Sequence, residues 1–280
     1  MRSYILTLIC PDRPGIVNAV TGALLEVGGN ITESAQFGDS DTDTFVLRTV
    51  FESDRDESTV SAAVEAVATE VHGSIRVRPA DRPPKALIMV SRQDHCLLDL
   101  LYRRRNGGLP IDVPVVVSNH MDCADIAARY GVEYVHLPVT PDSKMAAEAE
   151  LMALVEHHAI DFVVLARYMQ VLSDDVCRAM PGRIINIHHS FLPGFKGTRP
   201  YHQAHVRGVK LIGATAHYVT AELDEGPIIE QDVARVSHAD SPSELVSIGR
   251  DVERMVLARA VKKHAEDRVL LIGAKTVVFP

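Results

Sequence analysis

Asn186 and His188 stand one residue apart in the run Arg183-Ile184-Ile185-Asn186-Ile187-His188-His189-Ser190-Phe191-Leu192-Pro193-Gly194. Strand periodicity puts their two side chains on one face and Ile185 and Ile187 on the other. Pro193 and Gly194 end the strand, so the amide and the imidazole sit at its carboxyl end, where open α/β sheets bind ligands. An amide donor and an imidazole held on a rigid strand suit an oxyanion that develops during a reaction. Asp224 is the candidate third member. Ala216-His217-Tyr218-Val219 closes another strand, and the turn Thr220-Ala221-Glu222-Leu223-Asp224-Glu225-Gly226-Pro227 can fold back over the same edge. A partly desolvated carboxylate there, its pKa raised, would order a water and take its proton. On residue types alone, other readings stay open: Asn186 as a loop cap, His188 as a core side chain, Asp224 as a turn former.

Other chemistries find no motif. The chain has no G-x-G-x-x-G, no Walker loop, no G-x-S-x-G elbow and no H-E-x-x-H. His202 and His205 are spaced i, i+3 without a third ligand beside them, so no metal site is expected.

The elements that must position these residues divide at Arg78-Pro79-Ala80-Asp81-Arg82-Pro83-Pro84, a polar, proline-rich stretch between two apolar strand patterns. Residues 1–80 read strand, helix, strand, strand, helix, strand, the ferredoxin-like βαββαβ order. Pro14 and Gly15 open the first helix, and Gly28-Gly29-Asn30 ends it. Residues 85–280 alternate short apolar strands with helices, which predicts an α/β, Rossmann-like, mostly parallel sheet. The last long helix follows the capping-box pattern Ser241-Pro242-Ser243-Glu244.

Composition narrows the classes further. The 280 residues carry 29 Lys plus Arg against 37 Asp plus Glu, a net charge of −8, which disfavours a nucleic-acid partner. Residues 1–80 hold 6 basic and 12 acidic residues, so most of the acidity lies in the smaller domain. No apolar run approaches the roughly 20 residues that span a bilayer. Cys10, Cys96, Cys123 and Cys177 are widely spaced, without a disulfide or zinc framework. The expectation is a cytoplasmic protein with no membrane association.

Two resemblances carry these readings further. Asp12-Arg13-Pro14-Gly15-Ile16-Val17, followed by Gly28-Gly29-Asn30-Ile31, resembles ACT domains, which implies amino-acid sensing or assembly for residues 1–80. Asp12, Pro14, Gly15 and Asn30 are the implied effector-binding residues, and a helix N-terminus there would suit a carboxylate. Asn186-Ile187-His188, Ser190-Phe191-Leu192-Pro193, and His217-Tyr218-Val219 with Leu223-Asp224-Glu225-Gly226 resemble the signature of the folate-dependent formyltransferase superfamily, over about residues 85–280.

This second resemblance implies that Asn186, His188 and Asp224 are the catalytic trio. It also implies folate contacts from Met169, Gln170, Val171 and Leu172, with Lys144, His217 and Thr220 as further substrate-binding residues. An ACT-like domain joined to this domain is similar to the hydrolytic branch of the superfamily. Val117-Ser118-Asn119-His120, Gly197 to Ala204, and Gly213 to Val219 fit that branch, and Ser91 to Leu98 lacks the glycine-rich phosphate cradle of the purine transferases. The implied reaction is hydrolysis of 10-formyltetrahydrofolate, a linear amide-type C–N bond, to formate and tetrahydrofolate, which feed one-carbon and purine metabolism. Neither cofactor nor metal is expected. The implied partners are the small-molecule folate, an amino-acid effector, and further copies of the chain in a homo-oligomer. A formyltransferase with an amine acceptor and a non-catalytic sensor are the rival classes.

Overall fold

A computed structural model describes residues 1–194 and 200–280, which form two compact units. The stretch Phe195-Lys196-Gly197-Thr198-Arg199, which includes the start of the Gly197 to Ala204 motif, lies outside the described residues.

The first unit begins with β1 (Arg2–Pro11), α1 (Ile16–Glu26), β2 (Asn30–Asp39), β3 (Thr44–Ser53), α2 (Glu57–Glu70) and β4 (Ser74–Pro79). The strands form an antiparallel sheet in the order β2-β3-β1-β4, the ferredoxin-like arrangement expected. Alternation along β1 buries Tyr4, Leu6 and Leu8 against the apolar stripes of α1 (Ile16, Val20, Leu24) and α2 (Val60, Val64, Val67). Asp56 accepts the Thr59 N–H at 2.8 Å and fixes the start of α2.

The second unit, residues 84–265, runs β5 (Lys85–Val90), α3 (His95–Arg105), β6 (Asp112–Ser118), α4 (Ala124–Arg129), β7 (Glu133–His136), α5 (Lys144–His157) and β8 (Phe162–Leu165). It continues with α6 (Asp174–Ala179), β9 (Ile184–His188), α7 (Pro200–Arg207), β10 (Leu211–Tyr218), β11 (Ile228–Arg235) and α8 (Pro242–Ala265). Seven strands form one sheet in the order β11-β10-β9-β8-β5-β6-β7. From β7 to β9 the neighbours are parallel, and β10 and β11 add antiparallel strands at one edge. Central strands buried on both faces read as continuous apolar runs, as Phe162-Val163-Val164-Leu165 does. The expected capping box closes α8: Ser241 N–H donates to Glu244 Oε2 at 2.7 Å, and Glu244 N–H to Ser241 Oγ at 3.3 Å.

The chain end departs from the expected division at 85–280. Residues 266–280 belong to the first unit, where β12 (Val269–Ile272) and β13 (Lys275–Val278) form a hairpin. Leu270, Ile272 and Phe279 cover the sheet face carrying Ile9, Ala35 and Val46, opposite α1 and α2. A sheet with apolar residues on both faces needs a layer on each, and the hairpin supplies the second. Polar clamps hold it: Arg48, buried, donates through Nε to Glu266 O at 3.0 Å and through Nη1 to Glu33 at 2.8 Å, while Arg78 Nε pairs with Asp267 at 2.5 Å.

Candidate active site

β9 is hydrogen-bonded on both sides, by β8 in parallel and by β10 antiparallel, so its carboxyl end is held rigidly. In the β9–β10 ladder His217 lies opposite Asn186 and Thr215 opposite His188. Directly paired residues on one face bring their side chains together. Asn186 Nδ2 and His217 Nε2 accordingly stand 3.2 Å apart. The other ring nitrogen of His217, Nδ1, donates to its neighbour Tyr218 O at 2.9 Å. That bond selects the tautomer in which Nε2 accepts from the Asn186 amide.

Asp224 reaches the strand end from the β10–β11 loop, in the left-handed region at φ 58°. Gly226 makes this fold-back possible, since a Cβ there would lie 1.7 Å from Tyr218 O. The Tyr218 N–H donates to Pro227 O at 2.9 Å and closes the turn. Asp224 Oδ1 then lies 3.3 Å from His188 Nδ1 and 3.7 Å from His217 Nε2. His188 Nε2 is buried and has no hydrogen-bond partner among the described residues.

The expected raised pKa of Asp224 is reversed. The interaction with His188 holds the carboxyl well below its ordinary range, and the opposing effect of burial is smaller. Asp224 is a stable anion facing His188 Nδ1. The isolated desolvated acid imagined from the loop sequence would have behaved the other way.

A cleft of about 290 Å³ opens beside these groups, lined by Asn186, His188, Asp224, His217 and Thr220, and by the loop from Arg167 to Leu172 after β8. Six of the seven expected substrate-binding residues thus share one cleft with the trio: Met169, Gln170, Val171, Leu172, His217 and Thr220. Lys144 is the exception. It lies at the start of α5, 3.9 Å from Glu148, and lines a separate narrow crevice that the cleft shares only through residues 168 and 170–172.

The four expected effector residues do not converge. Asp12, Pro14 and Gly15 sit in the β1–α1 turn, and no side chain caps α1 at Gly15. The Asp12 N–H is already donated to Asp43 O at 2.9 Å. Asn30 starts β2 and pairs with Glu52, whereas the end of β1 near Asp12 pairs with Phe45 and Thr44. Eight strand residues separate the two ends, roughly 25 Å within one chain.

Residues 84–261 match the family model described as formyl transferase, and residues 4–69 match the ACT domain model. A formyltetrahydrofolate deformylase of Synechocystis sp. is 45% identical over 284 residues, covering 100% of both chains. The chain belongs to the formyltetrahydrofolate deformylase family. The crystal structure of a formyltetrahydrofolate deformylase from Pseudomonas syringae pv. tomato superposes with a TM-score of 0.97 at 47% identity, covering 100% of this chain and 95% of that one. Glycinamide ribonucleotide transformylase 1 from Symbiobacterium toebii is similar over 72% of this chain and 97% of its own, with a TM-score of 0.67 at 31% identity.

Sequence reasoning missed the group behind the cleft. Glu253 of α8 is 1% exposed and is held by Tyr201 Oη at 2.6 Å, His95 Nε2 at 2.8 Å and Arg167 Nε at 3.4 Å. Burial is the largest influence on its carboxyl and raises the pKa, but His95, Arg167 and Tyr201 together bring it below the ordinary value. Ligand atoms of His95, Cys96 and Glu253 lie within 4.8 Å of one another, a possible metal triad by composition. The guanidinium beside Glu253 disfavours a second cation, and burial pushes the Cys96 thiol well above its usual range, away from the thiolate that binds metals. The sequence signal for this group was Glu253 at an inward position of an otherwise apolar helix face, between Val252 and Val256.

Proposed function

We propose that this chain hydrolyses 10-formyltetrahydrofolate to formate and tetrahydrofolate, with Asn186, His188 and Asp224 at the reacting carbon. The observation that carries the reading is the meeting of an amide, an imidazole with an unpartnered Nε2, and an ionised carboxylate at one strand end.

The formyl group is an amide-like carbonyl, and water attacks it poorly unless the oxygen's developing charge is stabilised. With Asp224 ionised, His188 Nδ1 carries a proton toward Oδ1, so Nε2 donates to the formyl oxygen when the ring is an imidazolium. Asn186, turned by His217, offers its second Nδ2 hydrogen to the same oxygen. Asp224 Oδ2 accepts from the attacking water and takes its proton as the C–O bond forms, when that proton has become acidic. A low basicity in the resting site is compatible with this timing. The tetrahedral intermediate then expels N10, which takes the proton held by Asp224 as the C–N10 bond breaks; the acid formed loses its remaining proton to solvent, and the products are formate and tetrahydrofolate. The groups named supply this chemistry without a resident cofactor.

The loop Met169–Leu172 offers backbone donors and acceptors to the pterin, and His217 and Thr220 line the same cleft. The products would return formate and free folate to one-carbon and purine metabolism in the cytoplasm. Among the described residues no helix is long and apolar enough to cross a membrane.

The first unit serves as a regulatory or assembly module in this reading. β2 is an edge strand with mostly exposed residues, open to pairing with a second copy. Such pairing places Asn30 of one copy and the β1–α1 turn of another within one assembly, although they are far apart in a single chain. Formate release from 10-formyltetrahydrofolate by the purified chain, with no amine acceptor present, tests the reaction. Formyl transfer that requires an amine acceptor would favour the transferase class.

A further inference from the structure

Arg167 is the single arginine or lysine among the described residues that line the catalytic cleft, whose other formal charges are Glu222 and Asp224. It is only 8% exposed. Its backbone lies at φ 65°, in the left-handed region that a long side chain adopts only at a cost. A strained conformation kept for an arginine directs attention to what the side chain does.

The anchoring is one-sided. Arg167 Nε donates to Gln93 Oε1 at 3.0 Å and lies 3.4 Å from Glu253 Oε2, while no described residue takes the hydrogens of its two terminal nitrogens. Glu253 is fixed in turn by Tyr201 and His95. A guanidinium held by one edge leaves its remaining N–H groups as a planar fork, the shape that binds a carboxylate through two parallel hydrogen bonds. The site lies close to the reacting groups: the His189 ring, 5.2 Å from that of His188, feels the charges of Arg167, His188, Glu253 and Asp224 together.

Hydrolysis converts a neutral formyl group and water into a small carboxylate. Formate is ionised at neutral pH, and it is released beside the fixed negative charge of Asp224. A cation in the cleft favours that anion beside the fixed charge of Asp224 before it leaves. We propose that Arg167, anchored on Glu253, forms a small-carboxylate site in the cleft that binds the formate product. The proposal rests on the hydrolytic reading, but formate binding is measured without turnover and so fails independently of it.

The test is titration of the full-length protein with ¹³C-formate, followed by NMR line broadening, beside separate titrations with tetrahydrofolate and with tetrahydropteroate, which lacks the glutamate tail. Arg167→Gly is the main variant, because glycine relieves the positive φ and leaves Glu253 two of its three partners. A charge-assisted bidentate pair predicts a loss of formate affinity of roughly 10- to 100-fold, with tetrahydrofolate affinity unchanged. Arg167→Lys should recover part of the affinity. Glu253→Gln, which loosens the anchor, should lose an intermediate amount. Equal formate affinity in wild type and a folded Arg167→Gly variant overturns the proposal, as does absence of formate binding by the wild type. A loss of tetrahydrofolate affinity that tetrahydropteroate does not share also overturns it, and reassigns Arg167 to the glutamate carboxylates.

Discussion

His188 Nδ1 faces Asp224 Oδ1 across 3.3 Å, with the carboxylate on a loop and the imidazole on a strand hydrogen-bonded on both sides. The contact fixes which ring nitrogen is turned to the acid and leaves Nε2 as the one available to a ligand. Replacing Asp224 with Asn removes both the charge that faces His188 Nδ1 and the acceptor for the water's proton. The expected loss in kcat is at least the 10²–10⁴-fold typical of a missing general base. Stopped-flow turnover with a parallel tetrahydrofolate binding measurement checks it, since binding should survive. Near wild-type kcat in a folded variant rejects the role.

Asn186→Ala and His188→Ala should each lower kcat by about 10²–10³-fold with little change in KM, because their bonds strengthen as charge develops on the formyl oxygen. His217→Ala should act in the same direction and more weakly, since it aligns Asn186 through the 3.2 Å contact and does not itself face the oxyanion. Steady-state kinetics of the three variants distinguish these roles. A rise confined to KM moves the residue concerned to ground-state binding.

The two perturbed groups predict distinct acid behaviour. Burial, and then the charge of Arg167 and His188, lower His189 from 6.5 to about 4. The unfolded chain therefore takes up a proton at His189 that the folded chain refuses. Stability falls as the pH drops from about 6.5 to about 4 and is not further reduced by this group below that. His189→Gln should flatten this slope in urea titrations run between those limits. Asp224 has the opposite linkage: its depressed pKa adds stability present above the ordinary carboxylate range and lost only in stronger acid.

Phe279, 5% exposed, is the last apolar side chain of the hairpin that covers the first unit's sheet. Phe279→Ala should cost the first unit about 3 kcal/mol, at the lower end for a buried phenylalanine, since a site near a chain end relaxes more easily. Urea unfolding with a probe in residues 1–83 measures it. By the same packing, deleting residues 1–80 leaves Leu270, Ile272 and Phe279 without their sheet.

Much of this architecture was legible because the relevant signals are local. The period-two pattern of β9 placed Asn186 and His188 together, and the Asp-Glu-Gly-Pro turn indicated a loop that returns, with Gly226 the residue that allows it. What eluded the sequence depended on long-range partners. The sign of the Asp224 shift is set by the His188 imidazole, which comes from a separate strand, and burial alone suggested the reverse. The C-terminal hairpin resembles any short strand pair, and only the apolar outer face of a sheet far earlier in the chain, at Ile9, Ala35 and Val46, explains where it belongs. Arg167, Tyr201, His95 and Glu253 come from four separate segments, and no spacing rule connects them.

The central claim is that the strand-end trio directs water to the formyl carbon. A single-turnover reaction of the purified full-length chain with 10-formyltetrahydrofolate in ¹⁸O-water, free of amines, tests it most directly. The account predicts formate carrying one ¹⁸O atom in step with tetrahydrofolate, and no such burst from Asp224→Asn. Formate without the label, or no formate until an amine acceptor is added, would contradict it.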